Sequence, residues 1–419
     1  MANDRVSRPW AKPFGDVPGW PSLHVLRPLA ALGRTLAAQR TMVSDVLPVY
    51  VSALVVFYLV VDLATWMMAK NPASHPIFTT NADRLLDASW HWDGEWYMSI
   101  ITFGYYMKNG FANVAFFPLF PLLVTWLGAW LEPLFYPDHF VVAGVLVSNT
   151  ALLLGLFYLY KLVDMEAGRA VARRAVWLAA IMPTAFFFHV AYPESLLLLT
   201  AAASLYHLRR GEFWWAALWA GVGSAARVQG VILALPIFWE VARLAWRQRR
   251  LPWRQLPALA LSFVGISLFM LFLYQHFGDP LAFVHVQKAW DRSFASPLAT
   301  LGTAVNFVVA GYQNADYPWS AVNIVVVFVY LAVALLSVGR WPFVYTLYVF
   351  ASILLATTMP VAGRPIESGA RFMAVVFPVI ISLARWSERW PWLERVLTAV
   401  SLPLFGLFLA LFVNWYWLT

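Results

Sequence analysis

Leu47-Pro48-Val49-Tyr50-Val51-Ser52-Ala53-Leu54-Val55-Val56-Phe57-Tyr58-Leu59-Val60-Val61-Asp62-Leu63-Ala64-Thr65-Trp66-Met67-Met68 is the stretch on which the fold turns. Its one charged residue is Asp62. As a helix rising about 1.5 Å per residue it reaches across the roughly 30 Å of hydrocarbon in a bilayer. The rest of the chain repeats the pattern. Of 419 residues, 61% are hydrophobic and 12% charged, against roughly 25% charged in soluble domains, which excludes an ordinary soluble protein. The 23 Trp, 17 Tyr and 31 Phe match the rings that gather at both membrane–water boundaries. Cysteine is absent, so disulfides, thiolate metal sites and thiol nucleophiles are excluded.

Taking about 20 apolar residues as one crossing, further spans are expected over 140–163, 175–190, 195–208, 213–226, 228–246, 256–275, 320–338, 343–359, 372–385 and 396–417. That makes about 11 transmembrane helices. Several are short or interrupted by polar residues, a pattern membrane proteins use beside a buried site. The net charge of +8 would suit nucleic acid only if the basic residues formed one face. Instead they recur in clusters between spans. With the N-terminus inside, 21 of the 29 Lys and Arg fall on the cytoplasmic side, as the positive-inside rule requires. No nucleic-acid partner is expected, and the first span reads as retained rather than as a cleaved leader.

The layout gives a basic cytoplasmic arm over 1–46 and one integral membrane domain over 47–419. That domain has a first outer loop over 69–139, a second over 276–319 and a short outer turn around Gly363 to Ser368. Phe116 to Leu134 would invert every later loop if it crossed, so it is expected to be interfacial or re-entrant.

Ionisable groups beside spans cost a few kcal/mol on insertion scales and need a reason. The densest cluster is His91-Trp92-Asp93-Gly94-Glu95-Trp96-Tyr97. Acids among rings suit a carboxylate that accepts a proton from a hydroxyl; an aromatic interfacial anchor with solvated acids is the alternative. In Tyr192-Pro193-Glu194-Ser195, Pro193 disfavours helix at Tyr192. Glu194 then opens the next helix, either as a functional acid or as a complement to the helix dipole. Arg227 and Arg371 could hold a phosphate between broken helices or pair internally with Glu194 or Glu367. Asp62 has no evident partner. His189 and the methionines read as core, Gly278-Asp279-Pro280 as a turn, and Lys288 to Arg292 as a solvated helix face. His-Glu-x-x-His, a P-loop and Gly-x-Ser-x-Gly are all missing, which removes support for zinc hydrolysis, nucleotide hydrolysis and serine acyl transfer.

Together these segments resemble the PIG-V-type mannosyltransferases, the family of the enzyme that adds the second mannose in GPI-anchor synthesis, and particularly their bacterial branch. The resemblance rests on Trp92-Asp93 with Ile100, Gly104 and Tyr105, and on Phe116-Phe117-Pro118-Leu119-Phe120-Pro121. It continues through Tyr192-Pro193-Glu194-Ser195, Phe277-Gly278-Asp279-Pro280-Leu281 and Arg371-Phe372 to Phe377-Pro378, in the expected order. Where Arg-Pro-Asn-Gly is expected, this chain has Arg227-Val228-Gln229-Gly230. The cation and the glycine stay; the proline is lost.

The resemblance implies an all-α polytopic GT-C glycosyltransferase fold with interfacial helices in the first outer loop. It also implies transfer of a sugar, typically mannose, from a polyprenyl-phosphate-sugar donor to an acceptor hydroxyl on the non-cytoplasmic face, with inversion. Asp93 is then the expected general base, with Arg227 and Arg371 as donor-phosphate ligands; Glu194 is a secondary acid, and so is Glu95, which has no fixed counterpart in the family. Trp92, Trp96, Tyr97, Tyr192 and Gln229 are the expected sugar or lipid contacts. Neither metal nor cofactor is expected. The acceptor, whether glycolipid, glycan or protein, is open, as is mannose against another hexose. The expected location is a bacterial plasma membrane with the site facing outward, or the endoplasmic reticulum in a eukaryote. A secondary transporter or flippase, and a non-catalytic assembly subunit, are the rival readings.

Overall fold

Apolar stripes facing outward are the first sign of a lipid-embedded molecule: Val51, Val55, Leu59, Leu63 and Trp66 are exposed along one side of the first helix, while Phe57, Val61 and Ala64 are buried on the other. The computed structural model describes residues 26–74, 76, 83–108, 111–311 and 317–416, so most of the basic arm over 1–46 lies outside the described residues. Residues 44–419 form one compact unit.

In chain order the helices are α1 (Leu26–Met67), α2 (Arg84–Asp87), α3 (Asp93–Phe103), α4 (Leu119–Phe135), α5 (His139–Ala167) and α6 (Arg169–Ile181). Next come α7 (Glu194–Arg209), α8 (Phe213–Ala226), α9 (Ala234–Gln248), α10 (Leu256–Leu261), α11 (Val264–Phe277) and α12 (Ala282–His285). The last are α13 (Pro297–Val309), α14 (Tyr317–Ser337), α15 (Phe343–Thr358), α16 (Gly369–Ala374), α17 (Pro378–Arg389) and α18 (Pro391–Val413). A two-stranded hairpin, β1 (Met107–Lys108) with β2 (Phe111–Ala112), pairs Met107 with Ala112.

Among the described residues, five stretches are long and apolar enough to cross a membrane: Gln39–Met67, His139–Ala167, Val228–Gln248, Tyr317–Ser337 and Pro391–Val413. The expected stretches 195–208, 213–226 and 343–359 are unbroken but shorter helices, α7, α8 and α15, and the other three are interrupted. The one over 175–190 ends as α6 at Ile181, before Pro183, and resumes only as a 3-10 turn at Ala185–Phe188. That over 256–275 is broken at Ser262 and Phe263 into α10 and α11, and that over 372–385 between Ala374 and Pro378. At Pro183 and Pro378 the cause is proline, which lacks the N–H that would continue the ladder and disfavours helical geometry in the residue before it; the break at Ser262 and Phe263 contains no proline. Hydropathy windows pass over such breaks.

Helix α7 is the core of the molecule. Every residue from Glu194 to Leu205 is buried, and α5 and α8 pack along it. A helix buried on all sides reads as apolar all round, so sequence alone cannot tell it from a lipid-facing span. Helix α4, from the stretch expected to be interfacial, buries Phe120, Pro121, Val124 and Gly128 and leaves Leu122, Trp126, Trp130 and Leu134 exposed.

Candidate active site

Two turns, one before α3 and one before α7, are tied together by their backbones. Ala191 N–H donates to the Ser89 carbonyl at 2.8 Å. The Tyr192 hydroxyl donates to the His91 carbonyl at 2.9 Å and accepts from Asp93 N–H at 2.9 Å. Burial pushes the Tyr192 hydroxyl well above its usual range, so it stays protonated and serves both bonds. Helix α5 holds both turns from behind. Ser148 Oγ donates to the Tyr192 carbonyl at 3.0 Å, Asn149 to the His189 carbonyl at 3.1 Å, and Trp90 Nε1 to the Val141 carbonyl at 3.1 Å. The Trp90 indole lies on Gly144, where a Cβ would come within 2.2 Å of the ring.

The geometry delivers Asp93 as the first residue of α3 and Glu194 as the first of α7. Arg227 ends α8 in extended conformation, and its guanidinium reaches Glu194 Oε1. Gly230 allows this turn: a Cβ there would stand 2.0 Å from the Gly223 carbonyl oxygen. Arg371, on α16, donates through Nε to the same Glu194 oxygen and through Nη1 to Asp93 Oδ2 at 2.5 Å. Its guanidinium lies against the Tyr192 ring at 4.6 Å and the Phe187 ring at 5.5 Å. Glu194 Oε2 has no hydrogen-bond partner among the described residues. Side-chain exposure separates the two acids: 1% for Glu194 and 31% for Asp93. Asp93 faces out of the cluster; Glu194 lies beneath it.

Both helices that bring these groups in start from strained backbone. Trp92 has φ +60° and Ser368 φ +60°, a region costly for non-glycine residues. One precedes Asp93; the other precedes Gly369, two residues before Arg371.

The remaining sequence candidates fall around this cluster. Gln229 is buried and donates to the Phe372 carbonyl at 3.3 Å, which ties the α8–α9 connection to α16. Tyr97 is buried, edge-on to Phe116 and Phe120, and close enough for the charges of Arg227, Glu194, Arg371 and Asp93 to act on it. Trp96 stacks on Phe116 and meets Trp290 edge-on at 5.9 Å. Trp92 turns toward α18, donating to the Phe412 carbonyl at 3.3 Å. Glu95 is buried in the first turn of α3. Asp62 has a partner after all, the Arg84 guanidinium.

Sequence reasoning left the surroundings of His91 unread, expected Glu367 as a partner of Arg227 or Arg371, and took Arg292 for a solvated residue. His91 is buried, stacked on Trp415 and 3.3 Å from Asp87; burial pulls its pKa down while Asp87 opposes the shift. Glu367 reaches Arg364 at 3.2 Å, an ion pair in the short turn before α16. Arg292 is not on a solvated helix face. It is partly buried, and the charges of Glu367, Asp93, Arg227 and Arg371 all act on it. The one signal in the sequence was its neighbour Trp290.

Among the described residues no three His, Asp or Glu side chains gather as a metal site. An apolar groove of about 850 Å³ lies between Phe238 and Leu259 on α9 and α10. It shares no residue with this cluster.

A buried acid–guanidinium cluster reached through broken helices, within a multi-pass integral membrane protein, is the class of molecule defined so far. Residues 41–384 match the family described as Mannosyltransferase (PIG-V), and the chain belongs to that family. No curated protein matches the sequence. Among solved structures, the chain is similar to the crystal structure of the Archaeoglobus fulgidus oligosaccharyltransferase in complex with zinc and sulfate. That match has 12% identity and a TM-score of 0.42, covering 88% of this chain and 52% of that one. It is also similar to the Archaeoglobus fulgidus oligosaccharyltransferase AglB in complex with an inhibitory peptide and a dolichol-phosphate, at 12% identity and a TM-score of 0.40, covering 88% and 55%. The chain spans about half the length of these structures.

Proposed function

We propose that this protein transfers mannose from a polyprenyl-phosphate-mannose donor to an acceptor hydroxyl on the non-cytoplasmic face of the membrane, by single displacement with inversion. The fold proposed with it is the GT-C architecture with about 11 crossings, in a bacterial plasma membrane.

The observation that carries the reading is the position of Asp93. It is the outward-facing carboxylate of a buried cluster, fixed by Arg371 on one oxygen and by Tyr192 at its backbone. In the proposed step the acceptor oxygen bonds to the anomeric carbon while its proton passes to Asp93. The carbon–oxygen bond to the phosphate breaks on the opposite face, and its electron pair leaves with the polyprenyl phosphate. Guanidinium groups in a low-dielectric site offset the charge that develops there, where fixed cations count for more than in water. Glu194 holds Arg227 and Arg371 in place for that task and is too buried to meet an acceptor. The rings of Trp92 and Trp96 beside Asp93 shield the site from water that would hydrolyse the donor.

Asp93→Asn keeps the shape and removes the base. Transfer from a polyprenyl-phosphate-mannose donor by the purified variant should fall roughly 100- to 10,000-fold. Undiminished transfer overturns the assignment.

A further inference from the structure

Three carboxylates and three guanidiniums in this region pair directly: Asp93 with Arg371, Glu194 with Arg371 and Arg227, and Glu367 with Arg364. Arg292 is a further cation beside those pairs, outside all of them. Its side chain makes no hydrogen bond or ion pair among the described residues. We propose that Arg292, carried into the site by the second outer loop, is the residue that takes the phosphodiester of the lipid-linked sugar, an inference that rests on the function proposed above.

The backbone fixes Arg292 from both sides. Upstream, the Trp290 ring meets Trp96 and Phe116 edge-on at 5.9 and 6.3 Å, and Trp96 belongs to the helix that opens with Asp93. At Arg292 itself the chain forms an antiparallel bridge with Val361, which bridges in turn to Arg364. Downstream, Ser293 N–H donates to the Pro360 carbonyl at 3.2 Å and Ala295 N–H to the Thr358 carbonyl at 3.0 Å. The segment 290–295 is thus fastened both to the element that supplies Asp93 and to the connection that leads into Arg371.

Burial pulls the Arg292 guanidinium below its usual pKa, Glu367 and Asp93 oppose that shift, and Arg227 and Arg371 add to it. The group stays charged regardless, because guanidinium does not lose its proton in proteins. A partly buried cation without a partner is costly, and an arriving phosphate removes that cost. Arg371 gives two of its donors to Glu194 and Asp93 and Arg227 gives one to Glu194, which orients both toward the acids while their charge still acts on the leaving phosphate. Arg292 has donors to give, in the planar fork that suits a phosphate.

The test compares wild type, Arg292→Ala and Arg292→Lys for mannose transfer and for direct binding of polyprenyl phosphate. Uncharged polyprenol and phosphatidylglycerol vesicles serve as controls. Arg292→Ala should raise the donor KM and weaken polyprenyl phosphate about 10- to 100-fold, leaving polyprenol binding and the acceptor KM unchanged. Lysine keeps the charge without the fork and should recover part of the loss, which a merely structural role would not predict. Equal weakening toward polyprenol or phosphatidylglycerol, or an Arg292→Ala donor KM equal to wild type, overturns the proposal. If wild type transfers no sugar while polyprenyl phosphate binding still falls in Arg292→Ala, the proposed reaction fails and the phosphate site stands.

Discussion

Helix α7 has a charged cluster at each end, and the two differ in almost every physical respect. At its start, Glu194 and Arg371 are 1% and 5% exposed, and one Glu194 oxygen accepts from both Arg371 and Arg227. At its end, about 24 Å away along a helix of this length, Arg209 pairs with Glu166 and neighbouring pairs join Arg169 to Asp45 and Arg174 to Glu394. Those pairs are open to solvent on at least one side. The turns beside them, at Gly168 and Gly211, put glycine where φ is positive, whereas the turns into Asp93 and Gly369 put Trp92 and Ser368 there. Exposed pairs contribute roughly 0–1 kcal/mol each, and glycine relieves strain at little enthalpic cost. Buried, shared pairs cost several kcal/mol in desolvation. One end is built as a protein builds stability; the other departs from that at each step, as reactive sites do.

That contrast is open to attack. Glu194→Gln takes from the partly buried Arg227 its one carboxylate partner among the described residues and from the buried Arg371 one of two, and should lower stability by about 3–5 kcal/mol and abolish transfer, read by thermal unfolding in detergent and by the mannose assay. A mild effect would make the two ends equivalent. Gly230→Ala forces a methyl onto the Gly223 carbonyl and should cost about 1–3 kcal/mol while displacing Arg227, so transfer falls with the melting temperature. Arg174→Gln at the opposite end should cost no more than about 1 kcal/mol and leave transfer intact.

The smallest effect concerns pH. Hydrogen bonds from His207 first, then Arg210, hold the Glu212 carboxyl below its ordinary 4.5. A depressed carboxylate contributes stability above the unfolded value and loses it as pH falls through the folded one. Wild type should therefore lose a little stability below pH 4.5 that Glu212→Gln does not, within about 1 kcal/mol once screening at this exposed turn is counted.

Much of the candidate cluster was legible in the sequence because each member is a charge stranded among apolar residues. Asp93, Glu194, Arg227 and Arg371 all have that setting, and the structure gathers them. Three things were not legible. Partners distant in the chain, such as Arg84 for Asp62, leave no local trace. The breaks at Ser262 and before Pro378 lie inside apolar runs whose average hydropathy conceals them. Arg292 sits in a polar segment that reads as solvated until the bridge to Val361 folds it inward.

The encasement of α7 has a mechanical consequence. Helix α1 from Val43 to Met67 and helix α18 present exposed apolar side chains and therefore answer directly to bilayer thickness by tilting. Glu194 takes its depth from the protein around it instead. Its height relative to Asp93 is set by helix-to-helix packing, so thin and thick membranes leave the two acids at the same spacing.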